Sequence, residues 1–438
     1  DECPGESCLR SVNGNHEKTH AGVLRAGLRC GTDVSAFLRM KELRRRQKEI
    51  ELIVGIDIGQ ESSQICYYDE QQRQPVSVSV VNSVDNRQKY QFGFMLSGAN
   101  QDNLKELLCT LLALLPKNGR KAGERDSICV TVSDFSKPVL EKLSAAVQLT
   151  GYAKENWSFI SHEEAYAYYA FSQKKELYVN GAVLLDYRED GLHTHYMTIV
   201  KKSGQEMIPE ESHVYSSEMI CSVPQRRKTL AQAEKELIHC VQDALKDKIV
   251  SAVYLTGAGF EAENLPKELT HVLCARRKAF AGQNLFVKGA AYAALKEDTS
   301  AGHSSGRLLA CRNRITTGLE LNIKERGEEK RFRMVRPGTN WYEAGRSVEL
   351  ILEDMRTIPV ILHRCDTGHE WTQEIDISAI PFRQGRMTRV AFEVRFDSDS
   401  HCVVRIEDMG FGGFVKSSGV VVEEEINLET DKIAQKEE

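Results

Sequence analysis

A chain of 438 residues exceeds the size at which one hydrophobic core usually stops growing, so two or three domains are expected. Its 58 Lys/Arg and 63 Asp/Glu nearly balance to a net charge of −5, which argues against a nucleic-acid binder acting through a broad basic face. The 12 cysteines are scattered, without a Cys-x-x-Cys pair or a Cys/His cluster at zinc spacing, so neither a disulfide framework nor a structural metal is expected, and no haem or flavin either. Free thiols point to a reducing, cytoplasmic setting.

Residues 1–39 lack an initiator Met, an apolar signal-peptide core and an amphipathic period. Residues 1–51 are read as an extension, partly disordered or non-native before Met40. The run Arg44-Arg45-Arg46 reads as a solvated lead-in to the first strand. Residues 53–58 are apolar enough for a central strand, 64–69 follow as its hairpin partner, and 75–81 alternate Val with Ser as a third strand. Residues 103–115 read as a buried helix ended by Pro116. Their most apolar part is too short for a bilayer and is interrupted by Lys105, Glu106 and Thr110, so no membrane contact is expected. A charged loop (117–126), a strand (128–132) and a helix opened by Ser136-Lys137-Pro138 come next, with Leu140, Leu143 and Val147 on one face.

A strand over 157–160 leads into a helix over 163–171. A second strand pair (183–186 and 194–200) echoes the first, and a duplicated plan in two halves is expected. An amphipathic helix (229–245), a strand (252–255), the Gly257-Ala258-Gly259 turn and a helix (287–295) complete an α/β body. Residues 296–306 are rich in Ser, Gly and charge and mark the main boundary. Beyond it, strand signals recur at 318–323, 348–352, 360–363, 374–380, 389–396 and 402–407, the pattern of an antiparallel sandwich.

Gly55-Ile56-Asp57-Ile58-Gly59 places a carboxylate beside a glycine turn, where backbone N–H groups can approach a phosphate and Asp57 can hold a hydrated cation. This run resembles the first phosphate motif of DnaK-type heat-shock chaperones, members of the actin-like ATPase fold. Ile128 to Val132, Thr150-Gly151-Tyr152 and Ile160-Ser161-His162-Glu163-Glu164-Ala165 resemble that family's next strand, helix and Asn-Glu-Pro-Thr-Ala segment in order. Leu255-Thr256-Gly257-Ala258-Gly259-Phe260 is similar to its adenosine motif, and Lys288-Gly289-Ala290-Ala291-Tyr292 to the helix after it. Leu308-Leu309, Thr317-Gly318-Leu319-Glu320 and the strands from Ile380 to Asp408 resemble its linker and substrate domain.

The resemblance implies an actin-like nucleotide-binding-type domain over 52–295 with two related lobes and reduced subdomains. A linker (296–311), a β-sandwich resembling the chaperone substrate-binding module (312–425) and a charged tail (426–438) follow. It implies ATP or ADP with Mg²⁺ near Gly55, Asp57, Gly59, Ser62, Ser63, Asp186, Gly257, Ala258 and Gly259, the metal held through water by Asp57 and Asp186. The bland alternative makes these two inherited strand-end carboxylates. It also implies a polypeptide partner and no nucleic acid.

The departures weigh against catalysis, and no catalytic residue is assigned. Gln60 and Glu61 stand where hydroxyl residues should follow Gly59, and a carboxylate there repels phosphate. Asp186-Tyr187-Arg188-Glu189-Asp190-Gly191 replaces a Gly-Gly-Gly-Thr cradle, and no matching phosphate-contacting lysine is found. His162 occupies the family's glutamate position; with two acids after it, it reads either as an acid-base centre or as the start of a helix capped by Ser161. Asp408-Met409-Gly410-Phe411-Gly412-Gly413 lacks the helix a phosphate loop needs. Three readings follow: a pseudo-ATPase body carrying a polypeptide-binding sandwich, which is preferred; an active ATP-dependent chaperone; and an actin-like small-molecule kinase.

Overall fold

The apolar runs and alternating segments assemble into three sheets in the computed structural model. It describes residues 24–26, 52–59, 62–79, 92–93, 99–116, 126–202, 204–216, 230–260, 265–297, 307–353 and 355–429. Gln60, Glu61, Arg44-Arg45-Arg46, most of the 117–126 loop and of the boundary stretch, and the end of the tail lie outside them.

The first described element, β1 (Leu24–Ala26), belongs to the last sheet. The first sheet grows from β2 (Ile53–Ile58), apolar throughout except Gly55 and Asp57 and flanked on both edges. On one side β3 (Ser62–Asp69) pairs antiparallel, and β4 (Gln74–Ser77) and the short β5 (Phe92–Gly93) pair β3. After α1 (Gln101–Ala113), β6 (Ser127–Val132) lies parallel to β2 on the other side. Then α2 (Lys137–Gln148), with proline in its first turn, leads to β7 (Trp157–Ser161), parallel to β6, and α3 (His162–Ala170) follows directly.

The second sheet repeats this plan. β8 (Ala182–Arg188) pairs antiparallel with β9 (Gly191–Met197), and beyond β10 (Val200–Lys202) the long β11 (Gln205–Ser216) pairs antiparallel with β9. After α4 (Leu230–Ala244), β12 (Ala252–Thr256) lies parallel to β8; α5 (Lys267–Cys274) precedes β13 (Lys278–Ala281), parallel to β12. α6 (Leu285–Glu297) ends the body. In both sheets a first strand carries an antiparallel meander on one edge and two parallel strands on the other. This duplication, with helices between, is the α/β body of two related lobes that was expected.

β14 (Arg307–Ala310), in the stretch expected to be a linker, pairs in parallel with β11. The sandwich follows: β15 (Thr317–Glu325), β16 (Glu328–Val335), β17 (Arg346–Leu352), β18 (Thr357–Arg364), β19 (Glu370–Asp376), β20 (Thr388–Phe396), β21 (His401–Asp408) and β22 (Val421–Asn427). One group runs β16-β15-β18-β19 and the other β17-β20-β21-β22, all antiparallel, and β1 lies between β15 and β17. On β20, Val390, Phe392, Val394 and Phe396 are buried as their period of two requires. β19 covers 370–376 instead of the expected 374–380, and it ends where the Asp376 carboxylate accepts from Ser378 N and turns the chain. Among the described residues no helix is long and apolar enough to cross a membrane, and no two of the described cysteines are joined in a disulfide.

Candidate nucleotide cleft

Asp57 and Asp186 stand at or near the ends of the first strand of each lobe, and Gln283 ties the Gly257 turn of one lobe to Gln64 of the other. Asp57, at the end of β2, stands in register with Gln64 on β3 and Thr131 on β6. It is buried, and its Oδ1 lies 2.8 Å from Nε2 of His162, the first residue of α3. Because an ionised carboxylate only accepts, Nε2 carries the proton. The His162 ring stacks on Phe286 with centroids 3.9 Å apart. Ser161 caps α3 in a capping box with Glu164, so both readings of His162 hold a part: it opens a capped helix, and it also reaches the cleft carboxylate.

In the other lobe Asp186 is buried, and Arg188 Nε donates to its Oδ2 at 2.5 Å. Burial alone would lower the Arg188 pKa, but Asp186, helped by Glu163 and Asp190, raises it. Burial likewise disfavours a charged Glu163, yet the His195 charge and the Ser161 hydrogen bond outweigh it and lower its pKa. His195 Nδ1 lies 2.7 Å from Glu210 Oε1. Asp57, Asp186, Glu163 and Glu210 therefore each face a cationic or proton-donating side chain of this chain.

The glycines have structural occupations. A Cβ on Gly55 would stand 2.3 Å from Val287 O, so Gly55 lets α6 approach β2. Gly257 has φ of +91°, and its amide donates to Gln283 Oε1 at 3.0 Å. Gln283 donates back to Gly257 O at 2.9 Å, and Gln64 donates to Gln283 O at 2.6 Å, tying the turn to the first lobe. A Cβ on Gly259 would lie 2.1 Å from the ring of Tyr187, whose carbonyl accepts from Gly259 N at 3.0 Å. Tyr187, buried in the core of this lobe edge-on to Phe260, thus packs beneath Gly259; Ala258 is exposed beside it. Gly59 N donates to Ser62 O, closing the turn. Ser63 Oγ, Thr131 Oγ1 and His162 Nδ1 are buried without a protein hydrogen-bond partner among the described residues; Thr131 shares the sheet face of Asp57, whereas Ser63, in register with Ile58, lies on the other face.

The donor set does not fit a water-held Mg²⁺. To bind the waters of such a cation both carboxylates must be free to turn toward it, whereas His162 holds Asp57 Oδ1 and Arg188 holds Asp186 Oδ2. No group of three or more His, Cys, Asp or Glu at metal-binding distance occurs among the described residues. The Asp408 glycine loop is a side-chain-organised turn: Asp408 accepts from Arg383 at 2.7 and 2.6 Å, from Ser418 N and from Gly410 N.

Sequence reasoning missed Arg188, Gln283 and Arg314. Arg188 was legible, since residues two apart on a strand share a face and Asp186 precedes it by two. Arg314 Nε donates to the buried Glu164, Arg314 Nη1 to Gly338 O at 2.9 Å, and Asn340 Nδ2 to Glu164 at 3.4 Å. No local signal marks that link, which joins α3 to the sandwich.

Residues 95–311 match the C-terminal model of a family of unknown function, DUF5716, and residues 314–428 match a domain of unknown function, DUF8552. No curated protein matches the chain. Among solved structures, it is similar to the ethanolamine utilization protein EutJ from Carboxydothermus hydrogenoformans at 11% identity and a TM-score of 0.36, covering 60% of this chain and 99% of that one. The ROK hexokinase from Thermus thermophilus is similar at 13% identity and a TM-score of 0.36, covering 57% and 100%. The Ppx/GppA phosphatase from Aquifex aeolicus is similar at 14% identity and a TM-score of 0.30, covering 48% and 68%.

Proposed function

We propose that this chain is a DnaK-like, cytoplasmic polypeptide-binding protein whose actin-like body is a pseudo-ATPase, with the β-sandwich as the binding module. The observation that carries the pseudo-ATPase half is that both carboxylates are already engaged inside the chain, Asp57 by a hydrogen bond with His162 and Asp186 by the Arg188 guanidinium. Phosphoryl transfer rests on positioned donors and charge neutralisation of the phosphates. Here the Arg188 guanidinium is engaged by the protein's own Asp186, and the Tyr187 ring lies against Gly259. The polypeptide half is supported by strand edges of β15 and β17 that accept a third backbone.

Thermal unfolding with ATP or ADP, with and without Mg²⁺, tests the reading. A ligand bound only to the folded state stabilises by RT ln(1 + [L]/Kd). No Mg²⁺-dependent shift is expected for either nucleotide. A shift that disappears in Asp57→Ala would establish the active ATPase instead, and phosphate transfer to a small molecule would establish the kinase.

A further inference from the structure

The sandwich contains a strand that comes from far outside it. β15 gives one edge to β16; on the other, β18 covers only Thr317 to Leu321, and β1 pairs in parallel with Ile323 and Lys324. β17 gives one edge to β20, and β1 pairs antiparallel with Leu350, Ile351 and Leu352 on the other. Three residues thus stitch two antiparallel groups into one continuous sheet. Leu24 is the register partner of both Ile323 and Leu352, which are buried, and Ala26 that of Leu350, also buried.

A backbone held on two edges is more constrained than an ordinary edge strand, yet β1 contributes only three residues to the ladder. Residues 27–52 separate it from β2, a tether that spans at most roughly 90 Å. Because β1 and the slot belong to one chain, their pairing is intramolecular and is governed by an effective rather than a bulk concentration. A competing strand must overcome that concentration to enter.

We propose that Leu24–Ala26 is a resident, exchangeable strand, occupying in cis a β-augmentation slot between β15 and β17 and closing it to polypeptide until displaced. The inference rests on and deepens the polypeptide-binding half of the proposed function. The slot takes an extended segment with an apolar residue in register with Ile323 and Leu352 and a small one opposite Leu350.

Two measurements on the full chain test it. Positions 25 and 351 are direct partners, and opposed positions of an antiparallel pair bring Cβ atoms within disulfide reach. Mild oxidation of R25C/I351C, followed by peptide mapping, is expected to yield an intrachain link between them, with none in the off-register control R25C/S347C. No link, or a link only between two chains, overturns the cis strand. Second, L24P/R25P removes two successive amide donors, which point to opposite edges of a strand, and so weakens pairing to both β15 and β17. A fluorescein-labelled peptide of residues 19–29 is expected to bind this variant at least tenfold more tightly than the unaltered chain. Equal affinities overturn exchange. Tight peptide binding without the 25–351 link sinks the resident strand but keeps the polypeptide reading, whereas the link without any peptide binding sinks that reading too.

Discussion

Asp408 is buried at the end of β21, and its carboxylate receives both Nη groups of Arg383 and both donors of Ser418. Arg383, with Ser418 and the Gly410 amide, holds its pKa well below the ordinary range against the opposing effect of burial. A depressed native pKa gives stability that is fully present above the unfolded value, near 4, and is lost as pH falls through the native one. Asp408→Asn is therefore expected to cost about 3 kcal/mol at pH 7, because it leaves Arg383 without its charge partner. The gap between variant and unaltered chain should narrow as pH drops from about 4 toward 2. Urea titrations followed by tryptophan fluorescence measure it, and a gap independent of pH would refute the assignment. The same residue shows how far sequence reading reaches. The acid and its glycines were visible as a motif, but Arg383 lies 25 positions away, and only strand pairing brings it near. Asp57 and His162, 105 positions apart, are the same case.

At the scale of elements, α6 is fixed by glycines rather than by its apolar stripe alone. A Cβ on Gly289 would stand 1.9 Å from Ala165 O on α3, and one on Gly55 would meet α6 from the other side. Gly289→Ala gains about 1 kcal/mol of helix propensity but forces two backbones apart. A net loss of about 2 kcal/mol is expected, seen as a melting temperature lowered by several degrees. Gly413→Ala, with nothing within 4 Å of the added carbon, should stay within about 0.5 kcal/mol. Equal melting temperatures for the two would refute the close-approach account. The sequence showed a Gly-Ala-Ala helix here, but not why the glycine is required, since the cause sits on another helix. Buried strands such as β2, β6 and β20 were readable because two-sided burial or alternation leaves a pattern. β16 and β22, rich in Glu, Lys and Arg and largely exposed, leave none, and their place is set by their neighbours.

Across the whole molecule, the body and the sandwich meet through contacts of unequal weight. Lys137 and Asp397 pair at 2.9 Å, but both side chains are half exposed, so the pair is worth about 1 kcal/mol at most. Phe135 meets Trp341 edge-on at 6.3 Å. The Glu164–Arg314 pair is buried, and it is anchored on both sides: Glu164 closes the capping box of α3, next to the residue that holds Asp57, while Arg314 also binds Gly338 O. Removing one member of a buried pair leaves an uncompensated charge and typically costs 3–5 kcal/mol, about that much being expected for Arg314→Ala. Because the two charges belong to different domains, the loss should also reduce cooperativity. Calorimetry of the unaltered chain is expected to show one endotherm and that of Arg314→Ala two, whereas Lys137→Ala keeps one. Glu164→Gln separates the two roles of Glu164, since glutamine retains the cap but not the charge; it should split the endotherm as Arg314→Ala does. If Arg314→Ala melts as the unaltered chain does, the cleft and the sandwich are not coupled through α3, and the Asp57–His162 hydrogen bond then acts only on the lobe that contains it.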